Sequence, residues 1–548
     1  MNKNTSPELI VNLSDTDYDV EPSSRLTYLY SIGGGSIRGR NIIPINDARR
    51  LHKLASELRD SYADWIYSLN DIYIQRGLIE ADLSLFLISD CSGKRTELFD
   101  TYQTICNLML LRESVSRLAV KKIRVIGGTP SFLRALKSIC PGLCIVNEVN
   151  HDFNLHSVKQ YLSDLRFIIE VVSIVFLENL LPSRDKRKDS RPRRYFFTIY
   201  PKMMGSNGRD KKYGSYFEEE DRYVGSLITD GLHQHVSVGE YFRLKRQAII
   251  DNVQIIDEFI RFGDCCRCLY WWTRIRWVLY LERAQEHYFK EIDVTGYINK
   301  ELLESTSRIG RFMVIKGALT RFITSNLISE FVYYLHEYPL GRLISYVFKT
   351  KYPKVKTCGY QHGPSSWRKL LYFMTPNETS ISQDYCHHVA IPDEVLAEDE
   401  PSAEIYRYAG YTNVRVMNTI YRLDYLKGVK RCLVQEYSLI APGLHDGRSM
   451  FDCLKELITS SPENQFCFKP HPLASMDYLT ELDELPNLNV SDLAMSSLLA
   501  RAKEVYVTYS SVGLEAAALG IPVRVVEIPG VINQSPLGDL ENYNTLVV

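Results

Sequence analysis

The 548-residue chain is longer than one ordinary core organises, since domains run to roughly 100 to 200 residues, so at least two lobes are expected. Hydrophobic residues at 45% and charged residues at 24% exclude a disordered chain. The 65 basic and 66 acidic residues leave a formal net charge of -1, which excludes an overall electropositive field that gathers nucleic acid.

A polar start, MNKNTSPELIVNLSDTD, lacks the basic residues and apolar run of a secretory signal. The glycine-rich Ile32 to Arg40 has no Gly-Lys-Ser/Thr after it and reads as a turn rather than a phosphate loop. A helical pattern runs from about Asp47 to Leu69, and Leu83 to Asp90 reads as a short strand ending in a polar turn, with a helix from about Glu97 to Arg112. Ile123 to Val146 alternates strand, Gly-Gly-Thr-Pro turn, helix and strand, the grammar of a parallel sheet. Val158 to Leu181 carries Lys159, Asp164, Arg166, Glu170 and Glu178, too many charges for a membrane span, and reads as an amphipathic helix.

Pro182 to Arg194 is a charge-dense breaker, read as a solvated loop, with a basic collar for an anionic lipid or glycan as the functional alternative. Residues 265–282 interleave Trp271, Trp272 and Trp277 with arginines, and a helix packing its aromatic stripe into the core is favoured over one lying on a membrane. Cys265, Cys266 and Cys268 have no matching second cluster, so the twelve cysteines read as reduced thiols and no metal is expected. The segment from Phe331 through the strand at Val355 to Gly359 is assigned to the same first sheet, which gives an amino-terminal lobe over 1–375. The polar stretch over 376–430 is the candidate hinge, and 431–548 the second lobe.

That second lobe is the clearest. Strands are expected at Leu433 to Ala441, Gln465 to Phe468, Glu504 to Thr508 and Val523 to Val526, with helices between them: a doubly wound unit. Ser510 and Ser511 fall where a strand ends and a helix begins, a setting for an anion, and Gly513 would let the backbone approach it. Glu515, one turn on, could accept from ribose hydroxyls. Lys469-Pro-His471-Pro ends the neighbouring strand, where an imidazole held by two prolines can donate to a departing phosphate.

KPHP followed by VTYSSVGLEAAALGIPV resembles the donor-site motifs of bacterial GT-B transferases that use cytidine-activated sugars, the sialyltransferases and Kdo transferases. EYPLGRLI, KTCGYQHGPSSW, RYAGY and YRLDYL further resemble a group of bacterial surface carbohydrate biosynthesis proteins, over most of the chain from about Phe331. The resemblance implies an α/β, GT-B-like fold of two Rossmann-like lobes facing each other across a cleft. It also implies that His471, Ser510 and Ser511 hold the donor phosphate. The acidic pair before glycine that sialyltransferases carry in the amino-terminal lobe has no copy here, and His445-Asp446-Gly447 falls in the other lobe.

A catalytic base or nucleophile is sought at predicted strand ends, which offer Asp90, Glu148, Glu337 and His362; Asp90, Glu337 and His362 are the leading candidates. The expected activity moves a Kdo-like or other nonulosonic sugar from its CMP form to a surface polysaccharide or glycolipid. The nucleotide sugar is a co-substrate, with no cofactor, metal or nucleic acid. The chain is expected to be cytoplasmic, with peripheral contact to an inner membrane left open. The rival activities are a CDP-glycerol-type phosphotransferase, an epimerase on the same fold and a nonenzymatic nucleotide-sugar binder.

Overall fold

The computed structural model describes residues 7–14, 18–19, 26–33, 37–39, 41–148, 156–180, 191–205, 208–229, 236–379, 384–417, 421–471, 474, 485–539 and 545–547. Much of the glycine-rich stretch and of the basic run 182–190 lies outside them. Three large parallel sheets with helices between many of their strands make up the frame of the described residues.

The first sheet contains β1 (Glu8–Asn12), β2 (Thr27–Ser31), β3 (Ile42–Pro44), β4 (Lys122–Ile126) and β5 (Cys144–Glu148), in the order β3-β2-β1-β4-β5. Every residue of β1 is buried, as expected for a strand covered on both faces. Helices α1 (Ala48–Ser68), α2 (Thr101–Leu118) and α3 (Pro130–Ile139) pack on it. Asp47 caps α1 by accepting from Arg50 N at 2.9 Å, and Thr129 caps α3 from Phe132 N at 3.2 Å, ahead of Pro130 in the first turn.

The second sheet contains β6 (Arg193–Phe197), β7 (Arg222–Gly225), β8 (Val253–Ile255), β9 (Ile328–Tyr333), β10 (Lys356–Tyr360), β11 (Glu394–Ala397) and β12 (Val414–Val416). Their order is β8-β7-β6-β9-β10-β11-β12. Its helices include α4 (His156–Leu180), α5 (Phe262–Glu282), α6 (Thr295–Ser325), α7 (Pro339–Lys351) and α8 (Glu400–Tyr408). The third sheet contains β13 (Tyr437–Ile440), β14 (Phe466–Phe468), β15 (Leu488–Val490), β16 (Ala502–Val507), β17 (Val523–Glu527) and β18 (Thr545–Val547), in the order β15-β14-β13-β16-β17-β18. Helices α9 (Gly447–Ser460) and α10 (Val512–Ala518) belong to it. Both orders reverse beside the first strand, the doubly wound pattern whose binding crevice opens at the carboxyl ends flanking that reversal.

The two Rossmann-like lobes expected from the sequence are therefore the second and third sheets. The structure differs in giving residues 8–148 a sheet of their own, so β9 and β10 pair with β6 and β11 and not with the first sheet. It differs again over 376–430, where β11, β12 and α8 extend the second sheet. That stretch reads as polar because α8 shows a charged face to solvent, while Ala403, Ile405 and Tyr406 are buried beneath.

A loop after β17 joins all three units. Asn107 Nδ2 donates to Gly530 O at 2.8 Å and Ile532 N donates to Gln103 Oε1 at 3.1 Å. Arg368 Nε donates to Asn533 O at 2.7 Å, and Ser366 Oγ to Gln534 O at 2.9 Å. Asn533 N donates to His52 Nε2 at 3.2 Å, which requires a neutral imidazole. Burial pushes His52 down to about 4 from an ordinary value near 6.5, helped by nearby Arg368. Between those two values the unfolded chain binds a proton that the folded chain refuses, so stability falls as pH is lowered through this window, by about 3 kcal/mol from this residue. Urea midpoints from pH 7 to pH 4 should accordingly drop less steeply in His52→Gln, which keeps the acceptor and cannot charge.

Helix α5 buries Trp271 and Trp272, whose indoles donate to Glu80 and Asp164 at 2.6 and 3.2 Å, while Trp277 stands 64% exposed. The favoured core-facing reading thus holds for two of the three tryptophans. Cys265 and Cys268 are buried on the same helix, and burial lifts their thiols to about 11 and about 12, so they are protonated. Among the described residues no helix is long and apolar enough to cross a membrane.

Candidate functional site at the carboxyl edges of the second and third sheets

At the carboxyl edge of the second sheet, β10 runs into Gln361-His362-Gly363. The His362 ring lies among three tyrosines, with centroids 5.9 Å from Tyr334, 5.8 Å from Tyr338 and 6.5 Å from Tyr372. Burial holds its pKa well below the ordinary histidine value, and the cations of Lys212 and Lys369 and the His336 ring lower it further. Its Nδ1 is enclosed with no hydrogen-bond partner. Lys212 Nζ donates to the His362 carbonyl at 2.9 Å, and Lys369 Nζ sits 4.9 Å from the Tyr372 ring centroid. An uncharged imidazole between two lysines is a base that remains available at neutral pH, in a place that attracts negative charge.

The other two leading candidates have different employment. Asp90 follows a 3-10 turn, Leu85–Ile88, and not the strand expected over Leu83 to Asp90. Its Oδ1 takes Arg95 Nη1 at 3.0 Å and Arg308 Nη1 at 2.9 Å in a buried triad, so it serves as a charge anchor. Glu337 lies four residues past the end of β9, in the turn before α7 and not at the strand end expected for it, and is 1% exposed. Tyr406 donates its hydroxyl to Glu337 Oε1, and Arg342 Nε donates to the Glu337 carbonyl at 3.0 Å, which leaves an acceptor sugar no path to the carboxylate. Glu148 ends β5, in the first sheet, where Arg124 and Tyr18 hold it.

The third sheet presents its own carboxyl edge. His471 follows β14 and Ser510 follows β16, and β13 lies between those strands, so the two loops are about 10 Å apart at ordinary strand spacing. The loop after β13, Ala441 to Asp446, occupies the gap. The His445 backbone N–H donates to the Tyr509 hydroxyl at 3.2 Å, and the Tyr509 ring covers Gly443 so closely that a Cβ there would come within 2.4 Å of it. Burial, then the proximity of His445, lowers the pKa of His471, so its imidazole is neutral until an anion arrives. Asp446 is buried, which raises its pKa, while hydrogen bonding from the Thr508 side chain and the Gly443 backbone opposes the rise.

Three expectations about this edge are revised. Glu515 accepts from Ser511 Oγ at 3.2 Å and from the Tyr425 hydroxyl, and is buried, so its carboxylate is already engaged. Ser510 Oγ accepts from Val512 N at 3.4 Å, a long local contact just ahead of the short helix α10. Gly513 answers to packing rather than ligand approach, since a Cβ would come within 2.6 Å of Leu537 and 3.0 Å of Val507. Lys469 N donates to Ile440 O at 2.9 Å, which fixes the start of the His471 loop against β13.

Glu97 connects the two edges. Arg95 Nε binds it at 2.7 Å, and it acts electrostatically on Tyr509 from one side and on Lys369, Tyr338 and Tyr372 from the other. Sequence reasoning missed Glu97, Lys212 and Lys369, which sit in no motif, and set His445 and Asp446 aside as belonging to the wrong lobe. The strand order puts that last pair at the crevice. Glu330, Cys358 and Glu394 lie close enough for a metal, but Lys356 Nζ already sits 3.3 and 2.6 Å from the two carboxylates and burial keeps the thiol protonated, so the trio reads as an ion-pair cluster.

No protein-family model matches the chain, and no curated protein sequence is similar to it. Among solved structures, the calicheamicin glycosyltransferase CalG4 is similar over 65% of this chain and 86% of its own, at 11% identity and a TM-score of 0.36. The UDP-GlcNAc 2-epimerase from Methanocaldococcus jannaschii is similar over 65% and 89%, at 10% identity and 0.33. The wall teichoic acid polymerase TagF is similar over 68% and 80%, at 11% identity and 0.29.

Proposed function

We propose that the chain is a nucleotide-sugar-dependent glycosyltransferase whose third sheet binds the donor and whose second sheet, together with residues of the first unit, binds the acceptor. The observation that carries this reading is the neutral His362, held near Lys212 and Lys369 at the carboxyl edge of the second sheet, with Glu97 acting electrostatically on both Lys369 and Tyr509 of the third unit. The acceptor hydroxyl gives its proton to His362 while its oxygen attacks the anomeric carbon, and the nucleotide phosphate leaves toward His471 and Ser510. Lys212 and Lys369 offset charge at the reacting centre, so the scheme requires no metal or bound cofactor. The KPHP and SSVG motifs support a CMP-linked donor of the Kdo or sialic acid kind, with a bacterial surface polysaccharide or glycolipid as acceptor and work at the inner face of a membrane.

A thermal-shift series with CMP, CDP, UDP and GDP tests the donor assignment, because a bound ligand stabilises by RT ln(1 + [L]/Kd). CMP or CDP should give the largest shift. Removing a hydrogen bond to a charged phosphate costs about 1.5–3 kcal/mol, so His471→Ala should weaken that nucleotide by roughly 10- to 100-fold. Phosphate binding also favours the protonated ring, so wild-type affinity should rise as pH falls through 6.5 and that rise should vanish in the variant. Equal shifts from all four nucleotides would remove the cytidine assignment.

A further inference from the structure

Beside the cleft, loops of the first unit and helices α4 and α6 of the second enclose a cavity of about 260 Å³ that the scheme above does not use. Thr229, in the loop after β7 at the carboxyl edge of the second sheet, forms part of its wall. A chain of contacts links it to the base: Arg308 holds Asp90 at 2.9 Å, Asp90 holds Arg95 at 3.0 Å, Arg95 lies 4.8 Å over the Tyr338 ring, and Tyr338 flanks His362. The volume falls just short of the roughly 300–1,000 Å³ typical of pockets for drug-sized ligands, and suits one small ring.

The lining specifies the ring's chemistry. The wall carries two carboxylates, Asp90 and Glu304, and two guanidinium groups, Arg308 and Arg311, so the side chains that line it balance in charge. Gln160 adds an amide, which donates to Ser307 Oγ at 2.8 Å, and Phe99 adds an apolar ring. Arg311 Nη2 is engaged by Asp164 at 2.9 Å, while its Nε is buried and has no acceptor in the protein. Hydroxyl groups both donate and accept, so a polyol ring is the ligand that satisfies carboxylate, guanidinium and amide together while laying an apolar face on an aromatic.

We propose that this cavity is a subsite for one uncharged pyranose residue, and, resting on the glycosyltransferase reading, that the residue belongs to the acceptor and sets which hydroxyl meets His362. The full chain should show saturation-transfer NMR signals with at least one of methyl glucoside, methyl galactoside and N-acetylglucosamine, with neither glucuronate nor inorganic phosphate competing. Leu98, partly exposed on the cavity wall, can be enlarged without disturbing the core; Leu98→Trp should weaken the sugar at least tenfold and leave the CMP or CDP thermal shift unchanged. Absence of signal from every neutral sugar, displacement by glucuronate or phosphate, or undiminished binding in Leu98→Trp would each overturn the subsite. Sugar binding without any nucleotide shift would leave the subsite standing and remove the donor assignment instead.

Discussion

His362→Ala is expected to lower kcat by about 10²- to 10⁴-fold, the usual contribution of a positioned general base, while leaving the nucleotide thermal shift intact. The separation follows from the fold: His362 ends β10 in the second sheet, whereas the nucleotide edge belongs to the third. The pH profile supplies an independent readout. Burial and the two lysines depress the imidazole pKa, so its basic form persists as pH falls below 6.5, and the acid limb of wild-type kcat/KM should lie well under that value. A limb at 6.5 or higher would assign the base to another group. Lys369→Ala should move the limb upward, because removing a neighbouring cation lets the ring hold its proton more easily.

Asp90→Ala is expected to cost about 3–5 kcal/mol of stability, read as a lower urea midpoint, because it takes the shared carboxylate from two buried guanidinium groups. Asp90 anchors both Arg95 and Arg308, and Arg95 keeps Glu97 as a second partner. Asp90→Asn, which keeps an acceptor oxygen for the guanidinium groups, should cost less. A single variant as stable as the wild type would show that the triad contributes nothing and would restore Asp90 as a candidate base.

The third sheet was the most legible part of the chain, because strand, turn and helix follow one another there with short connections. The expected strands at 433–441, 465–468, 504–508 and 523–526 overlap β13, β14, β16 and β17, and only the short β15 and the terminal β18 passed unnoticed. Between residues 83 and 90 the same kind of apolar run forms a 3-10 turn, since a buried stretch of that length carries no periodicity to separate strand from helix. Of the site, His362 was visible as a histidine at a predicted strand end. Lys212 was not, because it comes from a loop 150 residues earlier that nothing in the local pattern ties to β10.

Alternation of apolar runs, turn residues and helical periodicity, all short-range properties, determined from the sequence alone that the chain is α/β with parallel sheets. Tertiary structure alone decided that the described residues form three large sheets and not two, that the loop after β13 fills the gap between His471 and Ser510, and which candidates are free to act. Asp90, Glu337 and His362 look equivalent along the chain. Arg308, Tyr406 and Lys369 make them different, and those neighbours are brought in by long-range packing, which also sets how far each group is removed from water and hence which protonation state it holds.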